Sequence, residues 1–250
     1  MFFQQWTGIN AVLYYAPQIF KTLGLSSNTV SLLATGVVGI VMFLFTIPAV
    51  MYVDKLGRKP VLITGAWVMA FCHFVIAILV ARNQSSWATH TASAWAAVTM
   101  VWVFVAGFGY SWGPCAWIVV AEIWPISSRP YGIALGASSN WMNNFIVGQV
   151  TPDMLTSMTY GTYIFFGLFT FLGSLFIWFL VPETKGLTLE EMDIIFGSVG
   201  TAQADAERMR EVNKEVGLDQ LVHGHSSPAR EFEDEKVTVE HKSRSLDGSM

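Results

Sequence analysis

The chain has 250 residues, of which 53% are apolar or aromatic and only 13% are charged, about half the charged fraction of an ordinary soluble domain. Six basic and three acidic residues serve the whole of 1–181, whereas 182–250 hold eight basic and fifteen acidic ones. This partition excludes a uniformly solvated globule, and the absence of a basic patch argues against a nucleic-acid surface.

The N-terminal string Met1-Phe2-Phe3-Gln4-Gln5-Trp6 has no basic region and no small-residue cleavage site, so it reads as a cut at the start of a membrane span and not as a signal peptide. A helix needs about 20 largely apolar residues to cross a hydrocarbon layer of about 30 Å. The uncharged stretches predict six such spans, over 1–20, 22–53 (opening with a turn near 24–28), 60–81, 94–124, 130–150 and 160–181. Barrel strands would be shorter and would alternate apolar with polar residues, which these runs do not. The expected fold class is all-α membrane protein. Its expected domains are a six-helix transmembrane unit over 1–186, an amphipathic or polar helical segment over 187–217, and a disordered acidic tail over 218–250. His223, His225 and His241 fall in that tail as solvated residues, and neither a metal nor a cofactor is expected.

Lys55, Arg58, Lys59, Arg129 and Lys185 fall on one side of the expected bundle and Lys21 and Arg82 on the other. The excess of basic residues marks the cytoplasmic side, which places both termini in the cytoplasm. Cys72 and Cys115, both in apolar runs, are expected as small buried hydrophobes. Gly132 and Gly136 give the fifth span a small-residue face for close helix packing. Asn83-Gln84-Ser85 is a formal glycosylation acceptor in an outer loop, close to the membrane.

Polar side chains inside spans need partners, because an unpaired amide in hydrocarbon costs several kcal/mol. The first span carries Gln4, Gln5, Thr7, Asn10, Tyr14 and Tyr15. On a regular helix the arc of Gln4, Gln5, Asn10 and Tyr14 is too wide for one interior face. Unwinding near Gly8-Ile9-Asn10 lets both glutamines and the asparagine point at one cavity, as where a binding site is built from discontinuous helices. The competing reading is hydrogen bonding between helices without any ligand. The fourth span is too long for one straight crossing, and the string from Gly107 to Trp117 supplies a break through its glycines and Pro114. Trp112 and Trp117 serve either as flat stacking faces for a ring or as packing. Asn140 and Asn144 share a face of the fifth span, with Asn143 beside them. His73 reads as a satisfied core residue in preference to a proton carrier.

Gln4-Gln5-Trp6-Thr7-Gly8-Ile9-Asn10 with Tyr14-Tyr15, followed by Asp54-Lys55-Leu56-Gly57-Arg58-Lys59, resembles the sugar porter family of the major facilitator superfamily, of fungal type. Gly113-Pro114 through Trp117 to Glu122 and Arg129, Ser139-Asn140-Trp141 with Asn144, and Pro182-Glu183-Thr184-Lys185-Gly186 agree in order and spacing. The resemblance implies the C-terminal six helices of a twelve-helix transporter in the lipid bilayer of the plasma membrane, with the N-terminal half as missing partner, a small-molecule sugar as substrate and no enzymatic step. Proton coupling stays open. It further implies that Gln4, Gln5 and Asn10 bond sugar hydroxyls, that Trp117 and Phe108 contact the ring, and that Asn140 and Asn144 add contacts. Tyr14 and Tyr15 would help close an outer gate. Asp54, Arg58, Lys59, Glu122, Arg129 and Glu183 would form a cytoplasmic salt-bridge network. Two positions depart from the pattern: Met42 stands where several glucose-binding members have an asparagine, and Gly109 where some have a glutamate. A quinate-like substrate and a non-transporting membrane protein, sensor-like or a defective partner, are the alternatives.

Overall fold

A computed structural model describes residues 1–23, 27–83, 87–125 and 128–186, so the expectations for 187–217 and 218–250 lie outside the described residues. The helices are α1 (Phe2–Trp6), α2 (Ile9–Thr22), α3 (Asn28–Leu56), α4 (Arg58–Asn83), α5 (Thr91–Tyr110), α6 (Trp112–Glu122), α7 (Arg129–Ser157) and α8 (Tyr160–Leu180), with one 3-10 turn at Trp87–Thr89. Six predicted spans thus become six helical stretches, two of them broken. The first is α1 plus α2 and the fourth is α5 plus α6.

Each break has a local cause. Between α1 and α2, Gly8 takes φ 86, a left-handed conformation that glycine alone enters freely. A Cβ at that position would also lie 2.9 Å from the Phe166 ring, so α8 reaches the break only because residue 8 has no side chain. Between α5 and α6 the break falls at Ser111 (φ −126, ψ −87), not at Pro114. Pro114 sits in the first turn of α6, where its missing N–H leaves no helical bond unmade. It starts a helix here instead of bending one. A third irregularity, at Tyr15 (φ −115, ψ 18), precedes Pro17 inside α2, whose ring disturbs the turn before it.

Among the described residues four helical segments are long and apolar enough to cross a membrane by length and composition: Asn28–Leu56, Arg58–Asn83, Thr91–Glu122 and Tyr160–Leu180. The two stretches outside this set, α1 with α2 and α7, hold Gln4, Gln5, Asn10, Asn140, Asn143 and Asn144. α1 and α2 are each too short because the break divides them, and Gln4, Gln5, Asn140 and Asn143 are buried, where the protein supplies partners that lipid cannot.

Helix α4 occupies the middle, packed against α5 and α8; α3 lies on α5 and α2, and α7 on α1, α2 and α6. Met69 and Ile76 of α4 meet Val98, Val101, Phe104 and Val105 of α5 in the core. Only 17% of the apolar window of α3 is buried, against 56% for α4, and Leu32, Leu33, Ile40 and Phe43 stand exposed on α3. Gly132 and Gly136 let α7 close on Trp124 and Val120, the close packing expected of a small-residue face. Cys72 and Cys115 are buried. Asn83 is buried, and its Nδ2 donates to Leu79 O at 2.9 Å, so the atom that would carry a glycan is turned inward.

Candidate functional site

The break at Gly8 brings Gln4 and Gln5 of α1 to the same place as Asn10 of α2 and Asn140 of α7. Asn10 Nδ2 donates to Gln5 Oε1, Gln5 Nε2 to Asn140 Oδ1 at 3.0 Å, and Asn140 Nδ2 to Gln4 Oε1 at 2.7 Å. Gln4 Nε2 then donates to Trp112 O at 2.8 Å. That carbonyl belongs to the first residue after the second break, so one chain of amides ties both discontinuities to α7. Gln4, Gln5 and Asn140 are buried, and Asn10 is half-buried. A neutral amide both donates and accepts. The chain therefore carries no net charge and can exchange any of its links for a hydroxyl, which offers the same two roles.

The tyrosines flank this chain on the α7 side. Tyr14 OH donates to Asn144 Oδ1 at 2.9 Å and Tyr15 OH to Gly148 O at 2.7 Å, which holds α2 against α7 beyond the amides. Trp117 is not part of the cluster: it stands 41% exposed on α6 and has no hydrogen-bond partner among the described residues. Phe108 is buried in the core, packed beside Gly113. Two indoles belong here, Trp6, which sequence reasoning left out of the site, and Trp112, which it read as a stacking face or as packing. Trp6 Nε1 donates to Asn143 Oδ1 at 2.8 Å, and the Trp112 indole donates to Leu62 O at 2.8 Å, fixing the carbonyl that receives Gln4. The signal for both was an indole inside a membrane span, whose N–H seeks an acceptor when it leaves water.

A second, charged cluster closes one end of the bundle. Arg58 Nη2 lies 2.7 Å from Asp54 Oδ1 and 2.9 Å from Glu122 Oε1, and Thr184 Oγ1 donates to Glu122 Oε2 at 2.7 Å. Glu183 takes a different part from the one expected. Its carboxylate accepts from the backbone N–H groups of Arg58 at 2.9 Å and Lys59 at 3.1 Å, capping the start of α4, where the helix dipole favours an anion. Gly57 makes room for it: with φ 91 it joins α3 to α4 in a single residue, and a Cβ there would come 2.7 Å from Glu183 Oε2. Among the described residues Lys59 enters through its backbone alone. Arg129 Nη2 donates to Trp124 O at 3.2 Å and makes no ion pair among the described residues. The expected six-member salt-bridge network is thus an Asp54–Arg58–Glu122 triad with Glu183 as a helix cap.

A family model described as "Sugar (and other) transporter" matches residues 1–196. The chain belongs to the sugar transporter family. Members of that family are transporters and not enzymes. Among its relatives, Sugar transport protein 10 of Arabidopsis thaliana is 38% identical over 76% of this chain and 38% of its own length. Quinate permease of Emericella nidulans is 34% identical over 84% of this chain and 40% of its own. The solved structure of the Escherichia coli proton:xylose symporter XylE bound to 6-bromo-6-deoxy-D-glucose superposes with a TM-score of 0.67 at 38% identity, covering 78% of this chain and 41% of that one. The chain therefore spans about 40% of the length of the relatives it matches. It is an all-α membrane protein of the major facilitator fold.

The two departures from the family pattern prove to be neighbours. A Cβ on Gly109 would stand 3.0 Å from Met42 O, with Phe45 and Thr46 next nearest. α5 approaches the α3 backbone here at a distance that no larger residue fits without movement.

Proposed function

We propose that this chain supplies the C-terminal half of a sugar transporter, and that the whole protein carries a monosaccharide or related polyol across the membrane by alternating access. The observation that carries the reading is the neutral amide chain from Asn10 through Gln5 and Asn140 to Gln4, lying where two broken helices meet. Two breaks side by side are what a mid-membrane binding site needs, because they place polar groups at one depth without exposing backbone to lipid. Sugar hydroxyls take over links of the chain, so that each group that sheds water regains a donor and an acceptor. Asn144 adds a contact, Trp117 presents its exposed face to the ring, and Phe108 backs the site from the core. Tyr14 and Tyr15 act as the outer gate by holding α2 to α7 and letting go as the site opens. The Asp54–Arg58–Glu122 triad and the Glu183 cap hold the opposite, cytoplasmic end closed, with Lys59 and Arg129 marking that side. Both termini face the cytoplasm and the membrane is the plasma membrane. The missing N-terminal half completes the cavity; the names of the relatives support a sugar or quinate-like substrate, and XylE makes a proton a co-substrate to be tested.

The test joins this chain to the N-terminal half of a relative and measures uptake of labelled D-xylose, D-glucose and quinate. Gln5→Leu or Asn10→Leu should abolish uptake of the transported compound while the protein still reaches the membrane at its normal level. Uptake that survives both changes removes the amide chain from the site.

A further inference from the structure

The break at Gly8 leaves backbone acceptors outside the helical ladder, and Thr7 O is the one on a fully buried residue. The turn closes with Gly8 N–H on Gln5 O at 3.1 Å and the ladder resumes with Val12 N–H on Gly8 O at 3.1 Å, so Thr7 O is passed over. Thr7 is fully buried, and water does not reach it. The partner comes from α4: His73 Nε2 lies 2.9 Å from Thr7 O. A carbonyl only accepts, so the ring must carry its proton on Nε2. His73 Nδ1 is buried with no partner among the described residues, which suits a bare nitrogen and not a second N–H.

The ring has no freedom to do otherwise. Its centroid is 4.6 Å from that of Phe104 and 6.2 Å from that of Phe166. A Cβ on Gly167 would meet His73 Cβ at 3.1 Å, so α8 presses on α4 at this point. Phe166 is also the ring that abuts Gly8. One pair of side chains therefore grips the break from two sides, Phe166 at its turning residue and His73 at its stranded carbonyl.

We propose that His73 is a positioning residue: its Nε2–H fixes the helix break that allows Gln5 and Asn10, on either side of it, to meet. Its consequence for sugar binding rests on the function proposed above, but the latch does not, and it is tested without any ligand. Amide hydrogen exchange is followed by mass spectrometry on the 250-residue chain in lipid nanodiscs. Losing one buried hydrogen bond in His73→Leu should speed exchange in the peptide spanning 8–13 about tenfold. Peptides spanning 97–105 and 170–177 should change by less than about twofold, and His73→Gln, which keeps an N–H donor, should restore slow exchange at 8–13. Unchanged exchange at 8–13, an equal rise in all three peptides, or a glutamine variant as fast as leucine overturns the latch. Should His73→Leu fail to fold, 15N-histidine NMR of the unaltered chain, assigned by difference from His73→Gln, decides: a proton on Nε2 is expected, and a bare Nε2 refutes the proposal.

Discussion

The neutral cluster at the helix breaks and the charged cluster at the bundle end solve the same problem in opposite ways. Both tie helices distant in sequence, and both bury polar atoms. In the amide chain each link joins two groups that can serve either as donor or as acceptor, so any link can be traded for a ligand at little electrostatic cost. In the charged cluster a single Arg58 nitrogen answers two carboxylates, and removing one partner leaves a charge uncompensated. The lesson is a division of labour: exchangeable contacts where a substrate is to be admitted, and all-or-none contacts where a state is to be held.

That division predicts an order of effects in thermal melts of the membrane-embedded chain. Arg58→Met should be the most damaging, costing about 2.5 kcal/mol because the partly buried Glu122 then loses its counter-charge, while the exposed Asp54 adds little. Gln5→Leu should cost about 2 kcal/mol, since it strands Asn10 Nδ2 and Asn140 Oδ1. A larger loss from Gln5→Leu than from Arg58→Met would reverse the comparison. Glu183→Gln keeps an acceptor at the start of α4 but removes its charge, so about 1 kcal/mol should be lost. Lys59→Ala should change stability by less than about 0.5 kcal/mol, because among the described residues only the backbone of Lys59 is engaged. A melt lowered as far by Lys59→Ala as by Glu183→Gln would show that its side chain belongs to the cluster after all.

Much of this was legible in the residues. Long uncharged runs gave the spans, and the wide arc of Gln4, Gln5 and Asn10 demanded a break, which Gly8 supplies at φ 86. The second break was legible in kind but not in place, because a proline inside a helix and a proline opening one look alike in a string; only the backbone at Ser111 separates them. The amide partners were legible as a group, since polar side chains in hydrocarbon must find one another. Their pairings were not, since they depend on how α7 lies on α1. The resemblance implied that Glu183 joins a cytoplasmic salt-bridge network. The structure gives it backbone N–H groups instead, a partner that every helix start offers and no sequence marks. Trp117 and Phe108 were named as ring contacts by the resemblance, and the bundle holds one partly exposed on α6 and the other in the core.

The central claim is that the amide chain at the two breaks receives the sugar. Photolabelling the joined transporter with a diazirine derivative of its transported sugar tests this most directly, because the label marks whatever lies beside the bound molecule. The account predicts adducts confined to peptides containing Gln4 to Tyr15, Trp112 to Trp117 and Asn140 to Asn144, all suppressed by excess unlabelled sugar and by Gln5→Leu. Competable labelling that falls on α3 or α8 and spares these three peptides would contradict it.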